Sequence, residues 1–198
     1  MKILLKSMLL AFFGLWLSCQ PAAAAGGPLE MLAGTQDAMV LVIKKSAKTL
    51  TLYEQGKAIK DYRAVFGVNP DGNKVRQGDN RTPEGTFYIT EKELLNNHPY
   101  LGRKWFGLSY PDVNHAQRAL EQSMISYDQY NAIVRANHNH DLPPQNTALG
   151  GWIGIHGGRE ELTSEGVNWT EGCIAMLDKD LEELYTVIRP GTKVIITA

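Results

Sequence analysis

Cysteine is scarce: 198 residues hold two, Cys19 and Cys173. Two thiols this far apart give no disulfide framework and too few ligands for a cysteine-built zinc site, so apolar burial must hold the core. A chain of this length can manage that, hiding roughly 70% of its unfolded surface in one domain. An excess of one charge is also missing. Twenty basic residues stand against 21 acidic ones, net −1, which removes the basic footprint of a nucleic-acid binder. No internal repeat or coiled coil is visible, and no apolar run reaches the roughly 20 residues of a membrane-spanning helix.

What is present begins at the N-terminus. Lys2 and Lys6 precede an uncharged run from Ser7 to Leu17 and an Ala22-x-Ala24 pattern. That is the layout of a secretory signal over residues 1–25, followed by a flexible lead over 26–37 and one domain over 38–198. Export to the periplasm or cell envelope is the expectation. The alanine tract favours a soluble product starting near Ala25 or Gly26, and a lipoprotein acylated at Cys19 is the alternative. In both cases Cys173 becomes the lone free thiol of an exported protein, exposed to oxidation and so a candidate reactive group. The bland reading of a single cysteine is a small buried hydrophobe, and its neighbours must decide.

Along the domain, "MVLVIKK" and "KTLTLYE" read as strands joined by a tight turn, the second alternating cleanly. "KAIKDYRAVFG" completes a meander ending at Gly67, and the polar, glycine-rich stretch from Val68 to Arg81 is a loop. "TPEGTFYIT", "WFGLSY" and "WIGIH" are further strands, interrupted between Asp112 and Leu149 by helical spacing such as Tyr130, Ile133 and Val134. A last helix, with Asp178 as its N-cap and Leu181, Leu184, Tyr185 and Ile188 on one face, leads to a final strand "TKVIIT". The fold class is mainly β, with a helical insertion and a C-terminal helix.

His156 closes a strand, and Cys173 follows seventeen positions later (173 minus 156). A thiol attacks carbonyls as a thiolate, and a nearby imidazole can lower its pKa or take its proton. Gly157 and Gly158 leave room for a substrate backbone. Gly172 lets the chain turn sharply, and consecutive backbone N–H groups there can face a developing oxyanion. This pattern predicts acyl transfer.

The segments "HGG", "WTEGC" and "RTPEGTFYI" together resemble the L,D-transpeptidase catalytic-domain family, the YkuD-type peptidoglycan enzymes, over about Met39 to Thr197. The resemblance implies a mainly β sandwich of mixed sheets. It also implies a cysteine that attacks the carbonyl at the L-centre of diaminopimelate in a stem tetrapeptide. D-Ala leaves, and an amine of another stem or of an envelope protein resolves the thioester. Carried over, Cys173 is the nucleophile, His156 the general base and Gly157 its positioning neighbour. Thr170, Glu171 and Gly172 form the nucleophile loop and, with Gly158, line the substrate or oxyanion side. No metal or organic cofactor is implied, and penems are expected to acylate Cys173. Two positions depart from the family pattern: Glu171 stands where a histidine is usual and Ala175 where an arginine is usual. The missing guanidinium removes a carboxylate clamp, for which Arg159, Arg81 and Lys104 are candidate substitutes. The form "WTEGCIAM" is similar to the YafK-like branch, one member of which cuts a lipoprotein from the wall.

The remaining candidates weigh toward structural roles. His138, His140 and Asp141 suit a solvated loop better than a metal site, and His98 and His115 read as surface residues. Trp152 reads as core, Trp169 is evenly balanced, and Tyr127 and Tyr130 have the i, i+3 spacing of a core face. The 112–149 insertion fits either a lid or helices against the sheet edge. Three functions follow: a cysteine acyltransferase on peptidoglycan stem peptides, a hydrolase releasing a wall-linked peptide or lipoprotein, and a wall-binding module without catalysis.

Overall fold

The computed structural model describes residues 39–198; Cys19 and the segments expected to be a signal and a flexible lead lie outside the described residues. The first three strands, β1 (Met39–Lys44), β2 (Thr49–Glu54) and β3 (Lys57–Arg63), form the predicted antiparallel meander. They are followed by β4 (Gly85–His98), β5 (Gly102–Leu108), β6 (Gly154–His156), β7 (Ile174–Ala175) and β8 (Lys193–Thr197). All eight join one ladder in the order β3-β2-β1-β8-β4-β5-β6-β7. The sheet is mixed, since β1 runs parallel to β8 and β6 parallel to β7.

Strand β4 is the pivot. Its first residues, Gly85 to Tyr88, pair with β8, while Ile89 onward pair with β5 across register shifts. Such irregularities bend a strand. Both halves of the ladder feed one apolar interior, where Leu41 and Ile43 of β1 meet Phe106, Ile155 and Ile174 of β5 to β7. This alternation matters for function. With Ile155 and Ile174 facing the core, the period-two geometry of strands sends their neighbours His156, Cys173 and Ala175 to the other face.

The insertion folds into α1 (Val113–Glu121) and α2 (Tyr127–Asn139). Asp112 caps α1 by accepting from the His115 N–H at 2.8 Å, and Ser126 and Gln129 form a capping box on α2. The two helices bury Ala116, Ala119, Ile125 and Ile133 against Leu149. Two further helices follow, α3 (Glu160–Glu165) and α4 (Asp178–Val187). Leu181, Leu184 and Ile188 of the last helix reach the main core with Tyr185 at its edge, as their spacing predicts.

Several expectations need correction. Trp152 is not core: it is 65% exposed, with a left-handed φ of 55°. His115 is not a surface residue, because its ring is buried between Asp112 at 2.6 Å and Asn73 at 3.0 Å. Tyr127 is 66% exposed, so of the Tyr127 and Tyr130 pair only Tyr130 packs on the helical core. Asp178 does not cap α4. Leu177 occupies that position without a side-chain bond, and the Asp178 carboxylate instead accepts from the Gly158 N–H at 3.3 Å. Trp169 is buried and donates from Nε1 to Thr163 Oγ1 at 3.0 Å.

Candidate active site

Parallel pairing sets Ile155 opposite Ile174 and His156 opposite Ala175. Cys173, one residue before β7, thereby falls beside Gly154, two residues before His156 and on the same face. The contacts agree. The Cys173 thiol donates to the Trp152 carbonyl at 3.4 Å, and the Gly154 N–H donates to its sulfur. A side chain at 154 would collide with the Trp105 indole, which lies over that glycine and stacks on the His156 ring at 6.0 Å between centroids.

His156 is fully buried in an aromatic box of Trp105, Tyr100 at 5.9 Å and Trp169 at 5.5 Å. Its Nδ1 lies 2.7 Å from the Gly157 carbonyl, which can only accept. Nδ1 therefore carries the proton, and Nε2, buried without a hydrogen-bond partner, presents a bare lone pair. Burial lowers the imidazole to about 4, a shift opposed by the Gly157 bond and aided by His98. Burial likewise pushes the Cys173 thiol up to about 11, against the Gly154 N–H and the Lys74 ammonium, while Glu171 adds to the rise. Near neutral pH the two groups are a neutral thiol and a neutral base, not a preformed ion pair.

The loop leading to Cys173 is tied down from within. Thr170, buried, donates from Oγ1 to the Cys173 carbonyl at 2.7 Å and accepts from the Gly172 N–H at 3.2 Å. The Gly172 N–H is thus committed to Thr170 rather than to an oxyanion. Gly172 has a φ of 138°, and a Cβ there would lie 2.8 Å from the Arg81 carbonyl, so only glycine fits. Gly157 and Gly158 face protein rather than open space. A Cβ on Gly157 would strike the Asp178 carboxylate, and one on Gly158 would lie 2.5 Å from the Tyr100 carbonyl.

Above Cys173 opens a cavity of about 870 Å³. Leu142 and Gln145, from the tail of the insertion, form one wall with Trp152 just beyond it, and no residue of α1 or α2 lines the cavity. Tyr100 and Trp105 form another wall, and Glu171 lines the cavity with Glu91 and Glu93 of β4, Glu91 accepting from the Trp105 indole N–H at 3.0 Å. The Tyr100 hydroxyl is buried beside Glu171 and Cys173; burial first, then those two groups, raise its pKa. The loop from Val68 to Arg81, blank in sequence terms, supplies Lys74, Gln77 and Asn80 to the cavity.

None of the three proposed carboxylate clamps lines the cavity. Lys104 pairs with Glu182 at 2.5 Å, Arg159 lies over the Tyr100 and Trp169 rings, and Arg81 reaches toward Gly72. His140 stacks on Tyr88 at 3.7 Å, and among the described residues no group of three His, Cys, Asp or Glu could hold a metal. No helix among them is long and apolar enough to cross a membrane. Lys74, Tyr100, Trp105, Glu91 and Glu93 are the site residues that sequence reasoning missed.

A mainly β domain with a thiol and a buried imidazole on one sheet face defines the class of fold and site. The family model of the L,D-transpeptidase catalytic domain, YkuD, matches residues 38–196, and the chain belongs to that family. Among solved structures it is similar to Bd1075 of Bdellovibrio bacteriovorus, at 18% identity over 81% of this chain and 48% of that one, TM-score 0.53. It is also similar to the helical cell shape determining protein Pgp2 of Campylobacter jejuni, at 21% identity over 85% of this chain and 53% of that one, TM-score 0.52. An L,D-transpeptidase of Xylanimonas cellulosilytica shares 14% identity over 83% of this chain and 62% of that one, TM-score 0.48. The chain spans about half the length of the first two. No curated protein matches it by sequence.

Proposed function

We propose that the protein is an exported cysteine acyltransferase acting on peptidoglycan stem peptides through a thioester on Cys173. Membership of the family supports the substrate class. The observation that carries the chemistry is the bare, buried Nε2 of His156 on the same sheet face as the Cys173 thiol, beneath a cavity able to admit a peptide. Because both groups are neutral at rest, the thiol proton passes to His156 Nε2 as the sulfur–carbon bond forms. The Gly157 carbonyl holds the resulting imidazolium through Nδ1–H. The tetrahedral intermediate then expels D-Ala as its amine takes that proton, leaving the tripeptide acyl group on sulfur. An incoming amine or water next gives a proton to Nε2 and releases the acyl group, restoring the thiol.

An amine acceptor makes the enzyme an L,D-transpeptidase; water makes it a hydrolase of a peptide or wall-linked lipoprotein. The segment WTEGCIAM, with Glu171 in place of a histidine, resembles the YafK-like branch, and the family resemblance implies no metal or organic cofactor. In this reading residues 1–25 are removed on export and 38–198 act as one catalytic domain. Incubation with defined tetrapeptide muropeptides and an amine acceptor tests it by product mass. Cross-linked or amine-exchanged products indicate transfer, and free acids indicate hydrolysis. Wild-type turnover by Cys173→Ala would overturn both.

A further inference from the structure

A ligand that carries a carboxylate meets an unfavourable cavity. Glu91, Glu93 and Glu171 line it, and among its lining residues Lys74 is the one cation. Position 175 cannot help, since Ala175 is fully buried against Val65 and Trp169.

Lys74 is mounted rather than free. Its side chain is 4% exposed and pairs at 2.7 Å with Asp79, itself 6% exposed. A second donor bond runs from Nζ to the Arg76 carbonyl at 3.1 Å. An ammonium has three N–H groups, so this arrangement spends two and leaves one to give. Asp79 is saturated in turn, accepting from the backbone N–H groups of Val75 at 2.7 Å and of Arg76 and Arg81 at 3.1 Å. The Val68 to Arg81 loop is thereby closed around a buried ion pair that holds one positive charge in the cavity wall. That charge reaches the nucleophile, for the Lys74 ammonium favours the Cys173 thiolate.

We propose that Lys74, fixed by Asp79, is the specificity residue that receives the carboxylate of a ligand bound beside Cys173. The proposal rests on the acyl-transfer reading for the identity of that ligand, a stem peptide ending in a free carboxylate, but the anion site itself does not. A carboxylate placed on the third N–H of Lys74 exchanges hydration for a charge-assisted bond in a partly water-excluded wall. A carboxamide in the same place gains far less.

Two reagents that differ only in this group separate the ideas. Iodoacetate and iodoacetamide both alkylate Cys173 with loss of iodide, and the ratio of their rates reports local attraction for a carboxylate. The double variant Lys74→Met/Asp79→Asn removes both buried charges at once and avoids stranding one of them. We expect the iodoacetate-to-iodoacetamide ratio to fall about tenfold in that variant, the scale of one charged hydrogen bond. It should be kept in Lys74→Arg and unchanged in Lys104→Met, whose ammonium pairs with Glu182 away from the cavity. A ratio unmoved by the double variant overturns the assignment. In the second arm, tetrapeptides ending in D-Ala and in D-Ala amide are compared. The wild type should favour the free acid through KM, and the double variant should lose that preference. If the wild type turns over neither peptide, the acyl-transfer reading falls while the alkylation ratio still decides Lys74. If it turns over both equally, Lys74 is not the carboxylate site.

Discussion

Moving the pH from 7.5 to 4 should destabilise the protein through one imidazole, and substituting that residue should remove the effect. His156 sits fully buried among three aromatic rings, and its pKa drops from an ordinary 6.5 to about 4. Below pH 6.5 the unfolded chain binds a proton at this residue that the folded chain refuses until about pH 4. Stability therefore rises with pH across that window, is fully present above 6.5, and is lost as pH falls toward 4. A fall from 6.5 to about 4 corresponds to roughly 3 kcal/mol. Urea unfolding of wild type and His156→Gln at pH 7.5, 6, 5 and 4 measures it. Glutamine does not titrate, so whatever packing the variant loses is constant with pH. The free-energy gap between the two proteins should shift in favour of the variant by roughly 3 kcal/mol over that range. Parallel stability curves would refute the burial of a neutral His156, and with it the base proposed here.

Three other outcomes follow from the same geometry. Because burial raises the Cys173 thiol to about 11, its alkylation by iodoacetamide should climb about tenfold per pH unit between 7 and 10; a plateau below pH 8 would mean a preformed thiolate. Thr170→Val removes both bonds of Oγ1, to the Cys173 carbonyl and from the Gly172 N–H. It should cost about 1–3 kcal/mol in urea unfolding and lower kcat, whereas Thr170→Ser should restore both. Gly157→Ala drives a Cβ onto the Asp178 carboxylate and should destabilise by about 1–3 kcal/mol. Adding Asp178→Ala should recover much of that loss, and failure to do so would show that the clash is not with Asp178.

The fold was legible wherever one periodicity governed a segment. The meander, the apolar face of the last helix and the strand ending at His156 all follow from spacing that burial enforces on local sequence. Of the candidate site, the spacing singled out His156, Cys173 and the loop from Thr170 to Gly172, but not the walls around them. Trp152 looked apolar and so looked buried, but the turn through Gly150 and Gly151 into a left-handed backbone puts its ring at the cavity. His115 looked like a surface residue because Asn73, which faces it across the fold, lies 42 positions away. Lys74 and Asp79 were hidden in a loop whose composition signals solvation; a Lys and an Asp five residues apart carry no sign that they will be buried together. Helix capping by Asp178 was a sound local rule overridden by the nonlocal Gly158 N–H.

Acyl transfer through Cys173 requires a covalent bond between the stem peptide and its sulfur. Intact-mass measurement of the protein mixed with a tetrapeptide donor and quenched in acid should show the tripeptide acyl adduct, mapped by digestion to Cys173. The adduct should be absent in Cys173→Ala and form far more slowly in His156→Gln. Donor turnover with no adduct at that sulfur, or an adduct that survives Cys173→Ala, would rule out a thioester mechanism.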